Sequence, residues 1–182
     1  MEISKIINKR TLLITALLVA LGVGSRLIPH EANFAPIAAI ALMSGALLGR
    51  KYALGVLLLI MAISDLVIGT YSSMLFTWSA FALIALYGTM FKNASFTKRV
   101  VIGSLGSASI FFVVSNFGVW VSSGMYAHTL AGLANCYIMA VPFFRATFVS
   151  DFAYSGALFG VAILATRTYR YAAIRLLKPT NA

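Results

Sequence analysis

Residues 128–151 read HTLAGLANCYIMAVPFFRATFVSD. An apolar run from Thr129 to Val141 stops at Pro142, and Arg145 follows shortly after. Proline lacks a backbone N–H and disfavours a helix interior. The run is also too short to cross a bilayer by itself. Whether it counts as a crossing decides if the number of crossings is odd or even. That in turn decides on which side the last basic residues fall.

The chain is 61% hydrophobic and only 10% charged, far from the balance of a soluble domain. Several stretches are apolar for the length a bilayer requires. The expected class is an all-α integral membrane protein, a single transmembrane domain over residues 1–182. Six spans are expected, at about 11–28, 35–49, 52–69, 76–91, 100–121 and 148–166. A basic cytoplasmic tail, 167–182, follows. No internal repeat or low-complexity tract interrupts this pattern.

The charges orient it. With both termini cytoplasmic, Lys5, Lys9, Arg10, Arg50, Lys51, Lys92, Lys98, Arg99, Arg167, Arg170, Arg175 and Lys178 fall inside. Of the 14 lysines and arginines, only Arg26 and Arg145 then fall outside, as the positive-inside rule requires. A crossing at 129–141 would put the basic tail outside. That segment is therefore expected to be a short helix lying on, or dipping into, the outer surface. The formal charge of +10 is dispersed over the ends of apolar runs, which argues against nucleic acid as a partner. The inner-leaflet lipid surface is the expected partner of the tail.

Cys136 is the single cysteine. It allows no internal disulfide and reads as a small packing residue. No zinc-ligand cluster is present, so neither a metal nor another cofactor is expected. Val23-Gly24-Ser25 could pass for a leader cleavage site, but the apolar run continues through Ile28, and loss of the segment would spoil the charge pattern.

The acids Glu31, Asp65 and Asp151 all fall at or near the outer face. A carboxylate within a span is costly unless paired or hydrated. Its expected partners are Arg26, Arg145, His30 or His128. Asn116 and Trp120, four residues apart, share a helix face. In the connection Ile28–Pro36, Pro29 ends the first span, Asn33 is a plausible cap and Pro36 suits the first turn of the second span. The stretch reads as a structured loop adding Arg26, His30 and Glu31 to an outward-opening pocket. Each residue also has a plainer reading: Trp78 and Trp120 as interface anchors, Arg26 and Arg145 as snorkelling side chains, both histidines as solvated, and Asn116 as an interhelical hydrogen-bonder. Ala16, Ala20 and Gly24 form a small-residue stripe on the first span, suited to close helix approach within the bundle or to a partner protein.

The segments NFAPIAAIAL, ISDLVIG and SNFGVW, together with the 128–151 stretch, resemble a group of small bacterial membrane proteins described as transport proteins. That group is similar to the substrate-binding S-components of energy-coupling factor (ECF) transporters. The resemblance runs from about Arg26 to Gly160. It implies a six-helix bundle in the cytoplasmic (inner) membrane that captures a vitamin or related micronutrient at the outer side. It also implies ECF-type transmembrane and ATPase partner subunits, which would meet the stripe Ala16, Ala20 and Gly24. The chain has no phosphate-binding loop for ATP hydrolysis. It lacks the near-N-terminal histidine of nickel and cobalt S-components, and no motif diagnostic of riboflavin, thiamine, biotin or folate binding is present.

The expected function is a substrate-binding subunit for uptake of a small nutrient. Asp65, Asn116 and Asp151 would contact the ligand, Trp120, Phe34 and Tyr126 would stack on a ring, His30 and Glu31 would shape the mouth, and Arg145 would contribute charge. A stand-alone ion- or proton-coupled carrier and a structural subunit without ligand are the alternatives. An enzyme is not expected, since no H-E-x-x-H spacing and no nucleophile with a placed base is visible.

Overall fold

A computed structural model describes residues 9–177, apart from 30 and 32. His30, Lys5 and Lys178 lie outside the described residues, as do the side chains of Lys9, Arg10, Arg170 and Arg175. The helices are α1 (Lys9–Leu27), α2 (Ile37–Leu48), α3 (Arg50–Ile68), α4 (Met74–Gly88), α5 (Gly103–Ser122) and α6 (Leu130–Leu177). A 3₁₀ turn, Thr89–Phe91, follows α4, and a π-helical turn, Lys98–Ile102, leads into α5. The stretches Arg50–Ile68, Met74–Phe91, Lys98–Ser122 and Leu130–Tyr169 are long and apolar enough to cross a membrane. The apolar parts of α1 and α2 are shorter.

The bundle is organised around α2. Every residue from Ile37 to Ala46 is buried, and α2 meets all five other helices. A helix enclosed on all sides must be apolar all round, which explains its sequence, IAAIALMSGALL. At 12 residues it is about 18 Å long, against about 30 Å of bilayer hydrocarbon. Its C-terminal half crosses α4 at backbone contact. A Cβ on Gly45 would collide with the Ala85 carbonyl oxygen, and one on Gly88 with that of Leu42. Small residues permit this approach. Leu42 also packs on Gly103, at the start of α5. One residue, Gly49, joins α2 to α3, with φ +79°, a conformation that glycine adopts without strain.

The expected surface helix at 129–141 is not a separate element. It is the first part of α6, which runs unbroken from Leu130 through Pro142 to Leu177. Proline here removes one intrahelical bond, and packing on α5 holds the helix on both sides of it. Before Pro142, the Tyr137 hydroxyl donates to the Val113 carbonyl (2.7 Å) and the Cys136 thiol contacts the Asn116 carbonyl (3.4 Å). Beyond it, the Phe144 ring meets Phe112 edge-on at 5.3 Å, and the Ser104 hydroxyl donates to the Asp151 carbonyl at 3.1 Å. The helix that contains the expected span 148–166 therefore begins well before it, and α6 lies along the full length of α5.

Arg99 closes one end of the bundle. Its Nε donates to the Phe91 carbonyl (3.0 Å), its Nη2 donates to that of Lys92 (2.7 Å), and its guanidinium lies 5.4 Å from the Phe159 ring centre. The opposite end carries Asn33. Helix α1 sits at the periphery, mainly on α3, with Leu18 buried and Gly22 against Ile60. Leu12, Leu13, Leu17 and Leu21 are exposed, as suits a helix face turned to lipid. Ala16 and Ala20 share that outward side, and a Cβ on Gly24 would meet nothing within 4 Å.

Candidate functional site

The chain enters the site through 28–36. Helix α1 ends at Leu27, two residues before Pro29. The Phe34 N–H donates to the Glu31 carbonyl (2.9 Å), turning the chain through Asn33, whose φ is +60°. The first bond of α2 runs from the Ile40 N–H to the Pro36 carbonyl, 2.8 Å. Pro36 thus opens the helix as expected. Asn33 does not cap it, because no side chain caps this terminus. The Asn33 side chain is left to line a cavity.

Since α2 is short and its C-terminal half is fixed at Gly88, it begins deep in the bundle. Two adjoining cavities, each of about 250 Å³, occupy the space between its N-terminus and the Asn33 end. Asn33, Thr77, Phe111 and Thr147 belong to both. The first also has Arg26, Ala38, Phe81 and Asp151 in its wall. The second is lined by Ser115, Asn116 and the rings of Phe112 and Phe144, among others. Phe81 and Phe111 stack at 5.1 Å and form an aromatic wall.

The two intrahelical aspartates stand in opposite circumstances. Asp65 is 6% exposed and fully engaged. Arg26 Nη2 pairs with its Oδ1, and the Trp78 indole N–H donates to its Oδ2 at 2.7 Å. Arg26 Nη1 also reaches the Met61 sulfur at 3.1 Å. Arg26 was one of the four partners expected for such a carboxylate, and a partner is what its burial demands. Asp151 is 2% exposed, and its Oδ2 has no hydrogen-bond partner among the described residues. Arg26 Nε is also buried and has no partner among the described residues. Asp151 and Arg26 both line the first cavity, and each carries a buried polar atom for which the described residues provide no partner.

Of the residues expected from sequence to form the site, Asp151 and Asn116 line the adjoining cavities. Asp65 stands behind the wall, holding Arg26. Trp120 is engaged elsewhere: its indole N–H donates to the Ala127 carbonyl (2.9 Å), and its ring meets His128 and Phe117. Glu31 and Arg145 are exposed and line neither cavity, nor does Tyr126, in the α5–α6 connection. Phe34 lies against Tyr154 at 5.8 Å and is outside both as well. The wall residues Thr77, Phe81, Phe111 and Thr147 carry no sequence signal that separates them from ordinary packing positions.

The geometry defines a helical protein, with helices long and apolar enough to cross a membrane and a cavity of mixed polarity at one end of its bundle. Within that class, the chain belongs to the family of unknown function DUF6580, whose model matches residues 5–174. No curated protein matches the chain, and no solved structure matches it.

Proposed function

We propose that this protein is a membrane-embedded binding subunit that captures a small polar nutrient, such as a vitamin or related micronutrient, in the cavity above α2. The observation that carries the reading is Asp151: a buried carboxyl in the cavity wall whose Oδ2 has no partner among the described residues. Buried charged groups without a partner are costly, and proteins keep them where a ligand supplies the partner.

In this reading the Asn33 end faces outward and the Arg99 end faces the cytoplasm of a bacterial cell, which the distribution of basic residues supports. All six helices cross, with α2 shielded from lipid by the others rather than bridging the bilayer alone. The resemblance to ECF S-components supports energising partners, namely a transmembrane subunit and ATPases. The outward placement of Ala16, Ala20 and Gly24 on α1 suits helix docking. Among the described residues the wall offers no nucleophile beside a placed base, so this reading assigns it no catalysis.

Native mass spectrometry of protein extracted gently from its host membrane tests this. A discrete small-molecule adduct is expected, lost in Thr77→Phe, which fills the cavities. Unliganded protein under every mild extraction would overturn the reading. A stand-alone ion-coupled carrier is the second reading. It is favoured by the buried Ser107 and Ser155 hydroxyls, which also have no partner among the described residues. Uptake by the purified protein alone in liposomes, without ATP, would select it.

A further inference from the structure

We infer that the cavity selects a small zwitterion, a molecule carrying both an ammonium and a carboxylate, with an apolar or aromatic body. The inference rests on the reading of the cavity as a solute site and names the chemistry of that solute.

Three features of one wall point to it. The negative feature is Asp151, 2% exposed, with Oδ2 unpartnered among the described residues. A carboxylate so placed favours a positive group that brings its own N–H donors. The first positive feature is the N-terminus of α2. Ile37 and Ala38 line the cavity, and the first turn of a helix presents free N–H groups and the positive end of its dipole. The second is Arg26, whose Nε is buried without a partner among the described residues while its Nη2 is held by Asp65.

The balance of charges excludes simpler ligands. Asp65 already neutralises Arg26, so among the described residues the wall offers no free cation to hold a plain anion. A plain cation would satisfy Asp151 but leave the α2 N–H groups and Arg26 Nε–H desolvated without an acceptor, which is costly. A zwitterion meets both: its ammonium donates to Asp151, and its carboxylate accepts from Arg26 Nε and the α2 terminus. The stacked Phe81 and Phe111 pair provides the surface for the apolar body.

The test is a binding series with the full chain in detergent, read by isothermal calorimetry. The probes are phenylalanine, 4-amino-3-phenylbutanoate (wider charge spacing), 2-phenylethylamine, 3-phenylpropanoate and neutral 2-phenylethanol. One of the two zwitterions should bind tightest, with the amine and the acid each weaker by about tenfold or more. Asp151→Asn keeps the shape and removes the charge. It should weaken the preferred zwitterion by about a hundredfold and leave 3-phenylpropanoate unchanged or improved. Arg26→Lys keeps a cation for Asp65 but loses the Nε–H, and should narrow the advantage of the zwitterion over the amine. Equal binding of the amine and the zwitterion would overturn the inference in favour of a simple cation, and equal binding of the acid would overturn it in favour of an anion. Charge-blind binding of the alcohol would overturn it while leaving a solute-binding cavity. No binding by any probe would overturn the zwitterion with an aromatic body. The adduct measurement above stands or falls separately.

Discussion

The two ends of α2 solve opposite problems with the same kind of helix. At its C-terminal end, Gly45 and Gly88 bring two backbones into contact, and nothing but a hydrogen atom fits between them. At its N-terminal end, the neighbouring helices stand apart around about 250 Å³ in each of two cavities, with charged and polar side chains turned inward. The packed half fixes the position of the helix, and the open half uses that position. A site held to a fraction of an ångström needs a rigid support beneath it.

The comparison breaks most sharply at the crossing. Gly45→Leu or Gly88→Leu forces α2 and α4 apart. The expected result is loss of monodisperse protein, or a destabilisation of at least about 3 kcal/mol, read by thermal unfolding in detergent. Gly55→Ala, where an added Cβ meets nothing within 4 Å, is the matched control and should be tolerated.

Next comes the buried pair beside the cavity. Arg26→Ala leaves Asp65 buried without its counter-charge, held by Trp78 only, at a cost of about 3 kcal/mol, while Arg26→Leu with Asp65→Leu should recover most of that loss. If the double variant is as unstable as the single, the pair is not what the cost reports. Trp78→Phe removes one hydrogen bond to a carboxylate, with an expected loss of about 2 kcal/mol by the same measurement.

The smallest effect has the opposite sign. Asp151→Leu replaces an unpartnered buried carboxyl and should raise the melting temperature of unliganded protein by a few degrees, consistent with about 1 kcal/mol. A lowered melting temperature would show that the open half is held together by Asp151 after all, and the contrast between the two halves would fail.

Much of the fold was legible in the sequence. The long apolar runs of α3, α4 and α5 mark themselves by length, and Pro29 and Pro36 bracket the loop where it lies. The cost of burying charge called for a partner to an intrahelical acid, but left Arg26, Arg145, His30 and His128 as candidates, and the structure pairs Asp65 with Arg26. Helix α6 was not legible, because Pro142 and Arg145 carry the local marks of a boundary, and only packing on Phe112, Val113 and Asn116 overrides them. The site was half legible. Asp65 and Asp151 look alike in sequence, and a tertiary neighbour, present for one and absent for the other, separates them. Trp120 and Tyr126 were read as ring-stacking residues from type and position. The turn at Ala127, which captures the Trp120 indole, is a backbone event that no side-chain pattern announces.

Helix α6 has one further consequence. Its 48 residues give a contour length of about 72 Å. Asp151 sits near the middle of that length, and the basic residues from Arg167 onward ride on its distal arm. A helical arm transmits rotation along its length. A tilt of about 5° pivoting at Asp151 would swing the end of α6 by about 3 Å, so the side of the molecule farthest from the cavity is mechanically its most sensitive indicator.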